Sequence, residues 1–104
     1  MMRLALVGYG RITPKHLEVF RAQGAEFVAC CNRSAANRQK AESEGGIPRT
    51  YADIEAMLKA ERPDGVVCCV SPDQMALAGG KIFPFGIPTL LEKPPGVSLM
   101  SGSR

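Results

Sequence analysis

The sequence predicts an α/β fold, a doubly wound parallel sheet of about five strands with helices on both faces. Three observations lead there. Short apolar runs alternate with longer amphipathic stretches along the chain, the pattern of repeated strand–helix units. Two of those runs, residues 3–7 and 65–70, are apolar nearly throughout, as strands covered on both faces must be. Glycine, proline or a small polar residue then closes each run and opens the next helix. With 104 residues, there is room for one domain and a single core.

The elements follow in order. Residues 3–7 form the first strand, and Gly8 and Gly10 sit in the turn after it. Thr13-Pro14 reads as an N-cap followed by proline at the first helical position. That helix carries Ile12, His16, Val19 and Phe20 along one side and ends near Gly24. Residues 26–31 form the second strand. Ser34 caps a second helix, which runs to Gly45-Gly46. Arg49–Tyr51 is a short strand, and Asp53 caps a helix bearing Ile54, Met57 and Leu58 that closes before Pro63. The strand over 65–70 turns at Ser71-Pro72-Asp73. A weaker helix spans 74–83, where Gly79 and Gly80 each cost about 1 kcal/mol relative to alanine. Residues 88–91 are the last strand. The folded domain thus covers 1–95, and 96–104, rich in serine and glycine, reads as a flexible tail.

Composition narrows the function. Apolar residues at 45% and charged residues at 22% are ordinary for a soluble globular chain, so no disordered or fibrous class is indicated. The net charge of +3 is spread along the sequence. It helps an anionic ligand mildly and makes no case for nucleic acid. No apolar run approaches a membrane span, and the N-terminus enters a strand, not a signal peptide. The four cysteines form two adjacent pairs, Cys30-Cys31 and Cys68-Cys69. Neighbours on a strand point to opposite faces, so neither pair makes a vicinal bond or a chelate. Strands on either side of the first one would lie roughly 9–10 Å apart, beyond the roughly 7 Å that a disulfide spans between Cα atoms. The thiols therefore read as small buried hydrophobes in a reducing cytoplasm, and without a CxxC spacing no metal site is indicated.

The chemistry concentrates at strand ends. Gly8-Tyr9-Gly10-Arg11-Ile12-Thr13 matches the GxGxxG dinucleotide fingerprint at two of its three glycines. Gly8 makes the tight turn, and Gly10 leaves room for a pyrophosphate over the helix N-terminus. Thr13 replaces the third glycine, whose task is close packing of helix on strand. After the second strand an acidic residue would accept from both ribose hydroxyls and repel a 2′-phosphate. Cys31-Asn32-Arg33-Ser34 stands there instead. With no carboxylate, and with Arg33 and Ser34 able to donate to a phosphate, NADP is favoured and NAD left possible. Glu92-Lys93-Pro94 closes the last strand at the same edge of the sheet.

Taken together, these motifs resemble the N-terminal NAD(P)-binding Rossmann domain of the glucose–fructose oxidoreductase, inositol dehydrogenase and MocA family. The resemblance covers roughly residues 2–98. It rests on the Gly8 and Gly10 turn, Asn32-Arg33, Val70-Ser71-Pro72 and Glu92-Lys93-Pro94, the last being the most specific. It implies an NAD(P)-dependent oxidoreductase of sugars, cyclitols or related alcohols. Lys93 would then lie near the nicotinamide and the reacting hydroxyl, with Glu92 orienting it or touching cofactor. An ammonium there can donate to a developing alkoxide or polarise a carbonyl. The sequence departs from the family where a histidine commonly follows the Ser/Thr-Pro turn, since Ala76 stands near that place. The family's C-terminal domain, with its substrate pocket, and the helix and sixth strand that complete the sheet have no counterpart in these residues. The expectations are thus a dinucleotide-binding oxidoreductase domain, inactive alone and prone to self-association through uncovered surface. A stand-alone dinucleotide- or partner-binding module is the alternative.

Overall fold

The computed structural model describes residues 2–10, 13–70, 72–93 and 96–100, with 72, 73, 75, 91–93 and 96–100 as backbone only. It contains β1 (Met2–Val7), α1 (Thr13–Ala22), β2 (Ala25–Cys31), α2 (Ala35–Ser43), β3 (Arg49–Tyr51), α3 (Ile54–Glu61), β4 (Gly65–Cys68), α4 (Pro72–Ile82), a 3₁₀ turn (Phe83–Phe85), β5 (Thr89–Lys93) and β6 (Gly96–Met100). The strands form one sheet in the order β3-β2-β1-β4-β5-β6. The first five run parallel, so the fold is the doubly wound Rossmann type expected from the alternation.

Apolar strand residues sort into two layers because successive side chains alternate across a strand. Leu4, Leu6, Phe27, Cys30 and Val67 pack with Leu17 of α1 and Ala41 of α2 on one face. Ala5, Val7, Cys31, Val66 and Cys68 pack with Met57 and Leu58 of α3 and Ala78 and Ile82 of α4 on the other. The cysteine pairs obey the same rule. Cys30 and Cys31 fall in opposite layers, and β2 and β4, at whose ends the two pairs lie, flank β1 on either side. One irregularity marks β2. Leu4 faces Phe27 while Ala5 faces Ala29, so Val28 is an extra residue, and Val28 and Ala29 enter the same layer.

Caps fix the helix starts. The Ser34 side chain accepts the Asn37 N–H at 3.2 Å, and Asp53 accepts the Ala56 N–H at 2.9 Å, both as expected. Three other expectations change. The core-facing stripe of α1 is Thr13, Leu17 and the half-buried Phe20, at helical spacing. Val19 is 55% exposed and His16 half-buried, while Ile12 lies outside the described residues. Thr13 is also the first residue of α1 and not a cap ahead of it. Its N–H donates to the Gly10 carbonyl at 3.2 Å, and its hydroxyl accepts the Gly10 N–H at 2.8 Å, the second bond being the returning half of a capping box. Finally, Gly96–Met100 is β6, paired antiparallel with β5, in register from Lys93↔Gly96 to Thr89↔Met100. Where a flexible tail was expected to begin, these five residues add a sixth strand at the sheet edge.

Candidate functional site

Every parallel strand delivers its C-terminal end to one edge, and the order in which successive strands are added reverses between β1 and β4. Such a switch point leaves a crevice, because the helices after the two strands depart to opposite faces. A cleft of about 450 Å³ occupies this position. Its floor is Val7, Gly8 and Gly10 after β1, Cys31 and Asn32 after β2, and Cys69 and Val70 after β4.

Gly8 is indispensable to that floor. Its φ is +88°, and a Cβ there would meet the Cys69 carbonyl oxygen at 2.8 Å and Val70 Cγ1 at 2.9 Å. Only glycine takes this conformation without strain or collision. The Gly8 N–H donates to the Cys31 carbonyl at 2.8 Å and the Cys69 N–H to the Val7 carbonyl at 2.7 Å, so the turn is stitched to both flanking strands. Gly10 serves differently. A Cβ there would meet nothing within 4 Å, and the residue is exposed on the cleft wall. Between them, Tyr9 turns its ring away into the layer of α1 and α2, with Cε2 3.1 Å from where a Cβ on Gly45 would stand. Its backbone borders the cleft, but its ring belongs to the core. Its hydroxyl is pushed above the ordinary range by burial first and by the charge of Glu44 second.

The turn after β2 forms a second wall. The Asn32 N–H donates to the Tyr51 carbonyl at 3.0 Å, and Asn32 Oδ1 accepts the Ser34 N–H at 2.9 Å, an Asx turn that leads into α2. Asn32 and Arg33 line the cleft, and Arg33 is exposed. Ser34 does not line it, because its hydroxyl is held at the cap of α2. Cys31 is buried beneath this wall. Burial, then the charge of Asp53, pushes its thiol up to about 11, against the pull of Lys81 and Arg38. Cys30, in the opposite layer, rises to about 12 chiefly through burial. Both therefore stay protonated and inert at neutral pH.

The third wall went unrecognised in the sequence. Ala52, Asp53 and Ile54 enter from the start of α3, and Gln74, Leu77, Ala78 and Lys81 from α4. The signal was available in both cases. A helix following a parallel strand starts at the ligand edge, which places Asp53 there. The spacing 74, 77, 78, 81 is one face of a helix. Among the expected site residues, Arg11, Ile12 and Ser71 lie outside the described residues. Pro72 starts α4. Glu92 and Lys93 end β5, one and two residues past Leu91, whose Cα is paired with Cys68 as Cys68 is with Val7. Lys93 thus stands at the same edge as Gly8, roughly 10 Å across the sheet from β1 by strand spacing. Among the described residues no group of three or more His, Cys, Asp or Glu could hold a metal ion, and no helix is long and apolar enough to cross a membrane.

Residues 2–104 match the oxidoreductase family with an NAD-binding Rossmann fold, the group that the motifs resemble. The chain belongs to this family. The D-apiose dehydrogenase of Paraburkholderia graminis is 37% identical over 75 residues, which are 70% of this chain and 20% of that protein. The crystal structure of myo-inositol 2-dehydrogenase from Lactobacillus plantarum superposes with a TM-score of 0.76 at 26% identity, over 91% of this chain and 29% of that one. The WlbA dehydrogenase of Bordetella pertussis, in complex with NADH and UDP-GlcNAcA, gives 0.78 and 26% over 91% of this chain and 30% of its own. The chain therefore spans about a fifth of the first relative's length and under a third of the other two.

The cleft of this oxidoreductase-family domain fits a nicotinamide dinucleotide on its own geometry. The space over Gly10 is open beside the first turn of α1, where a pyrophosphate needs unobstructed backbone. Asn32 and Arg33 offer polar groups on one side. Ile54, Val70 and Leu77 offer an apolar wall suited to a flat ring on the other.

Proposed function

We propose that the cleft takes NADP in preference to NAD, that Lys93 assists proton transfer at the reacting carbon–oxygen bond, and that the chain alone binds cofactor without turning over a sugar or cyclitol. The observation that carries the cofactor choice is the wall after β2. Exposed Arg33 lines it, and no carboxylate stands on that turn. The nearest acid in the cleft, Asp53, is engaged at the N-cap of α3. A guanidinium can pair with a 2′-phosphate through parallel hydrogen bonds, whereas a carboxylate at that turn would repel it.

When bound, the dinucleotide supplies hydride transfer at its nicotinamide. The chain's own residues hold it: Gly8 and Gly10 by close backbone approach, Arg33 by charge. Lys93 is supported as the proton-handling group by its station at the end of β5, on the edge shared with Gly8. Turnover also needs a substrate held at near-attack distance with water excluded, and a cleft open to solvent does neither. The buried thiols of Cys30, Cys31 and Cys68 suit a reducing compartment such as the cytoplasm.

The test is a pair of titrations with NADPH and NADH. NADPH binds more tightly in the expected result, and Arg33→Ala weakens it by about tenfold while changing NADH little. Tighter NADH binding, or indifference to Arg33→Ala, rejects the NADP reading. Oxidation of a polyol panel with NADP by the 104-residue chain would overturn the third clause, and, in any form of the protein that does turn over, activity unimpaired by Lys93→Ala would overturn the second.

A further inference from the structure

The turn after β2 has left the sheet, so its carbonyls need donors from elsewhere. A single nitrogen supplies two of them. Arg38, half-buried on α2, donates from Nη1 to the Asn32 carbonyl at 2.6 Å and to the Arg33 carbonyl at 3.1 Å. The Asn32 N–H is held by Tyr51 and the Asn32 side chain by the Ser34 N–H. The peptide carrying Arg33 is therefore pinned on several sides, while the Arg33 side chain itself is exposed on the cleft wall. The two neighbouring guanidiniums do different work. One faces inward onto backbone, and the other is left for a ligand.

We propose that Arg38 is a positioning residue: by fixing the carbonyls of Asn32 and Arg33 it sets how sharply the cleft distinguishes a 2′-phosphorylated adenosine nucleotide from a plain one. The inference rests on the reading that the cleft takes a dinucleotide with its adenosine end at this wall. Recognition of a phosphate by a guanidinium depends on direction as well as charge. A group held within about half an ångström keeps that direction, and a loosened turn does not. Arg38 touches no ligand in this scheme and acts only through the backbone of its neighbour.

The probes are 2′,5′-ADP and 5′-AMP, titrated calorimetrically into the wild-type chain and into Arg38→Met, which keeps the apolar stem and removes the donors. Amide hydrogen exchange of residues 32–34 is followed in parallel, and thermal unfolding reports the fold separately. The wild type is expected to prefer 2′,5′-ADP. In Arg38→Met that preference falls about fivefold or more, and exchange at 32–34 accelerates while α3 is unaffected. An unchanged ratio with a lowered melting temperature makes Arg38 merely structural and overturns the proposal. So does a changed ratio with unchanged exchange, which would be an effect of charge alone. If Arg38→Met does not fold, Arg38→Lys, which lacks the planar fork, is read by the same criteria. Failure of the wild type to bind either nucleotide rejects the cofactor reading and this inference together, whereas binding with an unaltered ratio rejects only the inference.

Discussion

Gly8 shows how one residue type can be dictated from two directions. Its positive φ excludes most side chains, and the Cys69 carbonyl and Val70 occupy the place where a Cβ would go. Gly8→Ala is expected to cost roughly 1–3 kcal/mol through backbone strain, with the collision added, and to abolish binding of either dinucleotide. A denaturant melt and a cofactor titration check both parts. An alanine variant of wild-type stability and affinity would show that the turn relaxes freely. The glycines and Asn32-Arg33 were legible in the sequence because their constraint is local, a turn or a strand end. The direction of Tyr9 was not, since it depends on which layer a residue between two glycines enters. The roles of Thr13 and Arg38 were hidden for a similar reason. Each uses a side chain to satisfy the backbone of a residue three to six positions away, and only the folded path brings those atoms together.

Among elements, β3 is the weakest by itself, with three residues paired to β2 alone. An ionic lock compensates. Glu61, at the end of α3, accepts from Arg49 Nη2 at 2.8 Å and Nε at 2.5 Å, and from the Tyr51 hydroxyl at 2.7 Å, with Arg3 Nη2 of β1 3.7 Å away. The side chain is 5% exposed, so its charge is matched by partners more than by water. Hydrogen bonding from Arg49 holds its carboxyl below the ordinary value of 4.5, against the opposing effect of burial, with Tyr51 and Arg3 adding to the lowering. A lowered folded value means that stability from this group is complete above about pH 4.5 and is lost as pH falls through the folded value. Glu61→Gln should therefore destabilise by about 2 kcal/mol at neutral pH and flatten the acid limb of a melting-temperature profile. A variant with an unchanged acid limb would remove Glu61 from this role. The sequence indicated β3 and α3 separately, through Asp53 and a short β-branched and aromatic run. It could not show them joined, because opposite charges twelve residues apart pair only if the crossover returns α3 alongside β3.

For the whole molecule, alternation of strand and helix was enough to give the layers and the parallel sheet, since βαβ units have one favoured hand. It was not enough for β6, a five-residue strand paired to β5 at the sheet edge. The outer side of an antiparallel edge strand presents unpaired backbone groups, and Phe83 and Val19 add apolar surface at 47% and 55% exposure. Self-association at tens of micromolar is the expected consequence. Light scattering across a dilution series checks it, and a constant monomer mass would contradict it. The candidate site was half legible on this scale. The turns after β1 and β2 could be read directly, whereas the wall from α3 and α4 follows only once the strand order fixes which helices meet over the crevice.

The extra residue in β2 has one more consequence, which is a matter of parity. A strand of odd or even length between two fixed points decides which face its last residue shows. Val28 stands outside the count, since Leu4 pairs with Phe27 and Ala5 with Ala29. The seven residues of β2 therefore keep the phase of six. Cys31 joins the layer of α3 and α4, as Val7 and Cys68 do beside it, and Asn32 leaves the sheet at the cleft. Were Val28 counted in the ladder, every later residue of the strand would be inverted, and Cys30 would take the place of Cys31 beneath the cleft wall. The bulge is what brings the end of β2 into step with the ends of β1 and β4.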